Sequence, residues 1–243
     1  MKKFTFLVAL VASALMAFAK SDSKVVLTSG SLDFLNDAGQ YAYFDVDWTK
    51  TKVVEFDKKM NVENDFGTID QYNQKQGVEW VADWDRVKNE TNLMLPIMKP
   101  FGNHCWFPGK GMCFNNKNKK GLQFTLNPAW FEYYNTTSDE KEKKGIEKAF
   151  YTVDPATAKY KVLVIADTVD MGNGAASAFG MDVHNGGAIM KGRIIVTDLT
   201  TRKSVAEFDV NYVKGWGSFY QFTRLQSLMN EIFVVELLPL LKK

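Results

Sequence analysis

The chain has 243 residues, with 30 basic and 28 acidic groups, a 46% apolar fraction and 14% aromatics. A chain of this length buries about 70% of its extended surface on folding, so it needs no metal or disulfide framework to hold a core. The near balance of charge excludes a protein that coats nucleic acid, which carries a large basic excess, and the aromatic content excludes a disordered tail.

Residues 1–19 read as a signal peptide. Lys2 and Lys3 give a positive start, Phe4 to Phe18 is free of charge, and Ala17-Phe18-Ala19 supplies the small-x-small cleavage pattern. The apolar run is too short to span about 30 Å of hydrocarbon comfortably. Position 20 is Lys and offers no thiol for lipid attachment. The expected product is a free periplasmic or secreted protein, cut near Ala19. Its cleaved form has 28 basic and 28 acidic groups, since the leader removes Lys2 and Lys3 and no acid. Capture of nucleic acid or anionic lipid is therefore not its expected work.

In the remaining chain, 20–243, Val25 to Thr28 is a short strand. Tyr41 to Trp48 alternates, with Ala42, Phe44, Val46 and Trp48 on one face and Tyr41, Tyr43, Asp45 and Asp47 on the other. Asp65 to Asp70 reads as a loop leading into a helix from Ile69 to Met98. That helix has Val78, Val81, Trp84 or Asp85, Val87 and Leu93 near helical spacing, and Pro96 and Pro100 end it. Residues 101–137 break the rhythm with aromatics, glycines and the polar run Asn115 to Lys120, and read as an inserted surface excursion holding one hairpin at Leu122 to Leu126. Ser138 or Asp139 caps a charged helix, Glu140 to Phe150. Tyr160 to Val169 is a β-branched strand, and Met171 to Gly187 is a Gly- and Ala-rich loop. Ala188 to Leu199 and Val205 to Val213 form a hairpin through Thr200-Thr201-Arg202-Lys203, with Phe208, Val210 and Tyr212 assigned to one face. A helix from Ser218 to Leu238 carries the stripe Leu225, Leu228, Met229, Ile232 and Val235. The sum is a single α+β domain: a twisted, mostly antiparallel sheet with helices packed on one face, a two-layer sandwich decorated by the Cys-containing insert.

Few residues invite chemistry. Cys105 and Cys113 stand with seven residues between them, including Pro108, Gly109 and Gly111, a spacing that closes as a local disulfide in an oxidising compartment. A metal site on His104 and both thiolates lacks a fourth ligand nearby, because the other histidine is the distant His184. Gly172-Asn173-Gly174 follows a strand but has Ser177 where a dinucleotide fingerprint needs a third glycine. Asp45 and Asp47 share a strand face at about 6.5–7 Å, a spacing open to acid/base or ion work, beside tyrosines that mark a solvated surface. No Gly-x-Ser-x-Gly accompanies His184. Asn89 and Asn135 head glycosylation sequons, which matter only in a eukaryotic secretory route. No catalytic, cofactor-binding or metal residue is assigned, and no cofactor is expected. The candidate ligand or partner contacts are Trp106, Phe107, Trp130 and Tyr133.

The stretches Tyr160 to Val164, Met171-Gly172, Gly186 to Gly192, Ile194 to Asp198, Val205 to Phe208 and Gly215 through Arg224 resemble the C-terminal half of uncharacterised secreted bacterial envelope proteins. The fold of those proteins is similar to the amino-terminal domain of TolB and to the periplasmic domains of curli-secretion lipoproteins. The resemblance covers residues 25–99 and 139–241, and departs in lacking a lipid-attachment Cys. It implies no catalytic residue. The expected function is a non-enzymatic binding or envelope-assembly accessory role, with other envelope proteins or a small ligand as partner. A periplasmic module for glycan, peptide or lipid that uses the aromatic insert is the alternative, and a hydrolase the second.

Overall fold

The computed structural model describes residues 24–76, 121–172, 187–215, 221–232 and 236. In chain order these form β1 (Val25–Gly30), a 3-10 turn at Asp33–Asn36, β2 (Tyr41–Asp47), β3 (Lys52–Phe56), β4 (Val62–Thr68), α1 (Ile69–Gln76), β5 (Gln123–Phe124), α2 (Pro128–Thr136) and α3 (Glu140–Ala149). They continue through a turn at Pro155–Thr157 into β6 (Tyr160–Asp170), β7 (Ile189–Asp198), β8 (Lys203–Lys214) and α4 (Gln221–Asn230).

The architecture is mixed α+β around one open, eight-stranded sheet ordered β1-β8-β7-β6-β2-β5, with β3 joined to β6 and β4 to β3. The pairs β1–β8, β8–β7, β7–β6 and β3–β4 are antiparallel, while β6–β2, β2–β5 and β6–β3 are parallel. The expectation of a mostly antiparallel sheet is thereby corrected to a mixed one. Strand periodicity encodes which side chains are buried, not the direction of the neighbour, and only the long return from β2 to β6 makes that pair parallel.

Strand β6 is the spine. Its Val162 and Val164 are fully buried, between Phe44 and Val46 of β2 and Val196 and Ile194 of β7. A register shift between Ala166 and Thr168 then turns Val169 inward. Gly192 lies opposite this bulge, where an added Cβ would stand 2.1 Å from the Ile165 carbonyl oxygen, so only glycine fits. The break between β2 and β3 is stitched by buried Thr51, whose Oγ1 donates to the Ala166 carbonyl at 2.6 Å. The buried strand positions share one cluster with Trp130 of α2, Ile146 of α3, and Leu225, Leu228 and Met229 of α4. Full burial of each large side chain contributes roughly 1.5–3 kcal/mol.

Four expectations change. Asp65 to Thr68 is not loop but the end of β4, a largely exposed strand whose run of Glu63, Asn64 and Asp65 writes no apolar alternation. Leu122 to Leu126 is not a hairpin: β5 runs parallel beside β2, and Phe124 stacks on Phe44 at 4.7 Å. The second half of the presumed surface excursion is core, since Leu122, Phe124, Leu126 and Trp130 are all buried. Asn127 caps the helix that follows, accepting from the Trp130 N–H at 2.9 Å, with Pro128 opening its first turn. Finally, Tyr212 does not follow Phe208 and Val210. It has φ +49, the β7–β8 register shifts between Met190 and Gly192, and Val213 takes the buried position instead.

Candidate functional site

The residues singled out for chemistry separate in space. The Asp45 carboxylate pairs with Lys161 Nζ at 2.7 Å and accepts the Val46 N–H at 3.0 Å. Asp47 accepts both the Thr49 hydroxyl at 2.6 Å and the Thr49 N–H at 2.8 Å. Those bonds, the hydroxyl first, hold the Asp47 carboxyl below the usual carboxylate range. Each carboxylate is thus committed to its own local partner, and neither arrangement shares a proton between them. Among the described residues no group of His, Cys, Asp or Glu is placed to hold a metal ion. Cys105, Cys113, Trp106, Phe107, His104 and His184 lie outside the described residues, as do residues 1–19 and the loop from Asn173 to Gly186.

Trp130 is buried, and its indole Nε1 has no hydrogen-bond partner among the described residues. Its ring meets half-buried Tyr133 edge-on at 5.1 Å. Of this pair, only Tyr133 can offer its ring to another molecule without local opening.

Two features escaped the sequence reading. The first is a polar and aromatic cluster at the C-terminal end of β6. Arg224, on the apolar side of α4, is only 5% exposed, and its Nε donates to the Met171 carbonyl at 2.7 Å. Burial lowers its pKa, while Tyr72 and Asp170 pull the other way. Asp170 accepts the N–H of Gly172 at 2.7 Å and of Phe56 at 2.9 Å. Burial, foremost, raises the Tyr72 hydroxyl, and Arg224 opposes that rise. Phe56 meets Tyr212 edge-on at 5.3 Å, Lys191 lies over the Tyr212 ring at 5.6 Å, and Phe66 packs on Tyr72 at 5.4 Å. The arrangement pins the end of β6 to α4 and β3 with a fixed buried cation. The signal for it was a charged residue beside Leu225 and Leu228 on an otherwise apolar stripe. At the other end of β6, Asp37 takes hydrogen bonds from Lys159 Nζ at 2.5 Å and Tyr160 Oη at 2.6 Å. The Asp37 contact raises the Lys159 pKa, favouring the charged amine.

The second feature is the face of the sheet opposite the core. Leu163 lies across from Ile195, with Asp45 on the far side of the first and Glu207 on the far side of the second. Leu163, Ile165 and Ile195 are half-buried. They are bordered by the Lys161–Asp45 pair and by Arg193–Asp167 at 3.3 Å. An apolar centre edged by ion pairs is suited to contact, since its rings of charge select a partner and its aliphatic carbons gain from burial.

No family model matches the chain, and no curated protein matches it. Among solved structures it is similar to a dodecamer of PelC from Paraburkholderia phytofirmans, at 9% identity and a TM-score of 0.27, over 86% of this chain and 94% of that one. A likeness at that score carries no argument about fold or function. Among the described residues no helix is long and apolar enough to cross a membrane, which says nothing of strands.

Proposed function

We propose that this chain is an exported, non-enzymatic binding or envelope-assembly accessory protein, free in the periplasm or beyond after cleavage near Ala19. The observation that carries the reading is the outward sheet face, where Leu163, Ile165 and Ile195 are half-buried between the Lys161–Asp45 and Arg193–Asp167 pairs. The leader pattern of residues 1–19 and the resemblance to secreted envelope proteins support it. The helices lie on the opposite, core-facing side as the second layer of a single domain spanning 20–243, and Cys105 and Cys113 close as a disulfide. Fractionation and N-terminal sequencing test the export: the account expects a chain beginning at Lys20, and an uncleaved cytosolic chain contradicts it. Thiol counting on unreduced, denatured protein should find none free; two would remove the disulfide.

A ligand-binding module is the second reading. Half-buried Tyr133, seated on Trp130, favours it. With Trp106 and Phe107 it would form the platform for a glycan, peptide or lipid. Saturable binding of such a ligand that is lost in Trp106→Ala and Tyr133→Ala supports this reading, and binding unchanged in both discards it.

A further inference from the structure

We propose that the outer edge of β1, which has no neighbouring strand among the described residues, accepts an added strand from a partner polypeptide whose alternate residues are basic; this rests on the contact-protein reading above and names the partner's chemistry. β1 ends the sheet order, with β8 as its one neighbour among the described strands. Its sequence, Val25-Val26-Leu27-Thr28-Ser29-Gly30, contains none of the lysines or prolines with which edges are usually guarded. Among the described residues the guarding devices are Lys24 at the start of the edge and the register shift between Leu27 and Ser29. Val26 and Leu27 are 39% and 38% exposed, and successive strand residues point to opposite faces. Apolar surface is therefore open on both sides of the edge. A partner docked on one face would cover one of these side chains, whereas a strand laid alongside covers both.

The main chain agrees. Lys24 accepts from the Asn211 N–H at 2.7 Å and Ser31 donates to the Val205 carbonyl at 3.1 Å. By antiparallel alternation Val26 faces β8, and the N–H and carbonyl of Leu27 face outward. Charge chooses the partner. On β8, Asp209 lies beside Val26 and Glu207 beside Ser29, both off the core-facing row of Ala206, Phe208 and Val210. Neither carboxylate has an ion-pair partner among the described residues; Arg193, across from Asp209, is taken by Asp167. An added strand would run two spacings, about 10 Å, from β8, a gap that a lysine or arginine and a facing carboxylate close between them. Main-chain bonds would supply affinity and the acidic row would set preference.

The test uses the full cleaved chain and two labelled peptides, one alternating lysine with valine and one alternating glutamate with valine. Fluorescence anisotropy should show saturable binding of the lysine peptide, weakened by added salt, and markedly weaker binding of the glutamate peptide. Leu27→Pro removes the outward N–H without touching a β8 bond and should weaken the lysine peptide by about tenfold or more. Glu207→Lys with Asp209→Lys, which leaves the edge intact, should invert the preference. Thermal melts of each variant confirm that it is folded. Equal binding of both peptides by all forms overturns the proposal. So does a concentration-dependent dimer abolished by Leu27→Pro, which would assign the edge to a second copy. Failure here with export intact removes the edge and leaves the outward face as the contact surface.

Discussion

The two faces of β6 are written by one strand and do opposite work. Val162 and Val164 are sealed against β2, β7 and the helices, while Lys161, Leu163 and Ile165, one position along, stay half-open and are edged by ion pairs. The backbone environment is the same on both sides, so the contrast isolates what a neighbour layer does. On the inner face shape and volume decide stability. On the outer face charge and modest exposure decide what the surface can meet.

The sharpest way to break this comparison is one charge on either side. Val164→Asp places an unpaired carboxylate in the core and should remove more than about 4 kcal/mol, leaving little folded protein. Ile165→Asp should shift stability by less than about 1 kcal/mol, because water still reaches that face. Urea midpoints of the two variants check the pair; equal losses would mean that the outer face is covered.

Next in size is the buried cation at the strand's end. Arg224→Leu removes the hydrogen bond to the Met171 carbonyl and the buried positive charge near Asp170, with an expected loss of about 1–3 kcal/mol by urea melt. A neutral result would show that Arg224 fills space and does not pin β6.

The pH response should be smaller, and opposite in sign at two places. Burial, then the neighbouring Glu236, raises the carboxyl of half-buried Glu231 against the pull of Lys24. The folded chain therefore keeps a proton there that the unfolded chain has released. That contribution is complete below the ordinary glutamate value and is lost as pH rises through the raised one; Glu231→Gln should flatten this limb of the stability profile. Asp47 is lowered by Thr49, so its contribution is present above the ordinary aspartate value and is lost as pH falls through the lowered one. Asp47→Asn should erase that acid limb. Smallest of all, Lys161→Ala opens a partly exposed pair and should lose no more than about 1 kcal/mol.

The long strands were legible because each buries one face. The alternation at Tyr41 to Trp48 and the dense Tyr160 to Val169 run map onto β2 and β6 within a residue, and Glu140 to Phe150 onto α3. What hid was structure with weak or misleading periodicity. β4 is largely exposed and carries Glu63, Asn64 and Asp65 in a row, so it writes no apolar stripe. The stretch through Leu122, Phe124 and Leu126 does alternate, and Asn127-Pro128 is a helix start. Local signals were present there, and the surrounding aromatic, Gly-rich composition outweighed them. The face of Tyr212 turned on a bulge set by pairing with β7, which no local pattern in β8 contains. The cluster around Arg224 joins Tyr72, Asp170 and Arg224, far apart in the chain, and only the fold brings them together.

The most direct test of the central claim puts a photocrosslinking side chain at Ile195, on the outward face, and separately at Ile194, its buried neighbour, in cells that export the protein. The account predicts discrete protein adducts from position 195, found in the periplasmic or secreted fraction and attached to a chain lacking residues 1–19, and none from position 194. A folded, exported protein that gives no adduct from position 195 would contradict it.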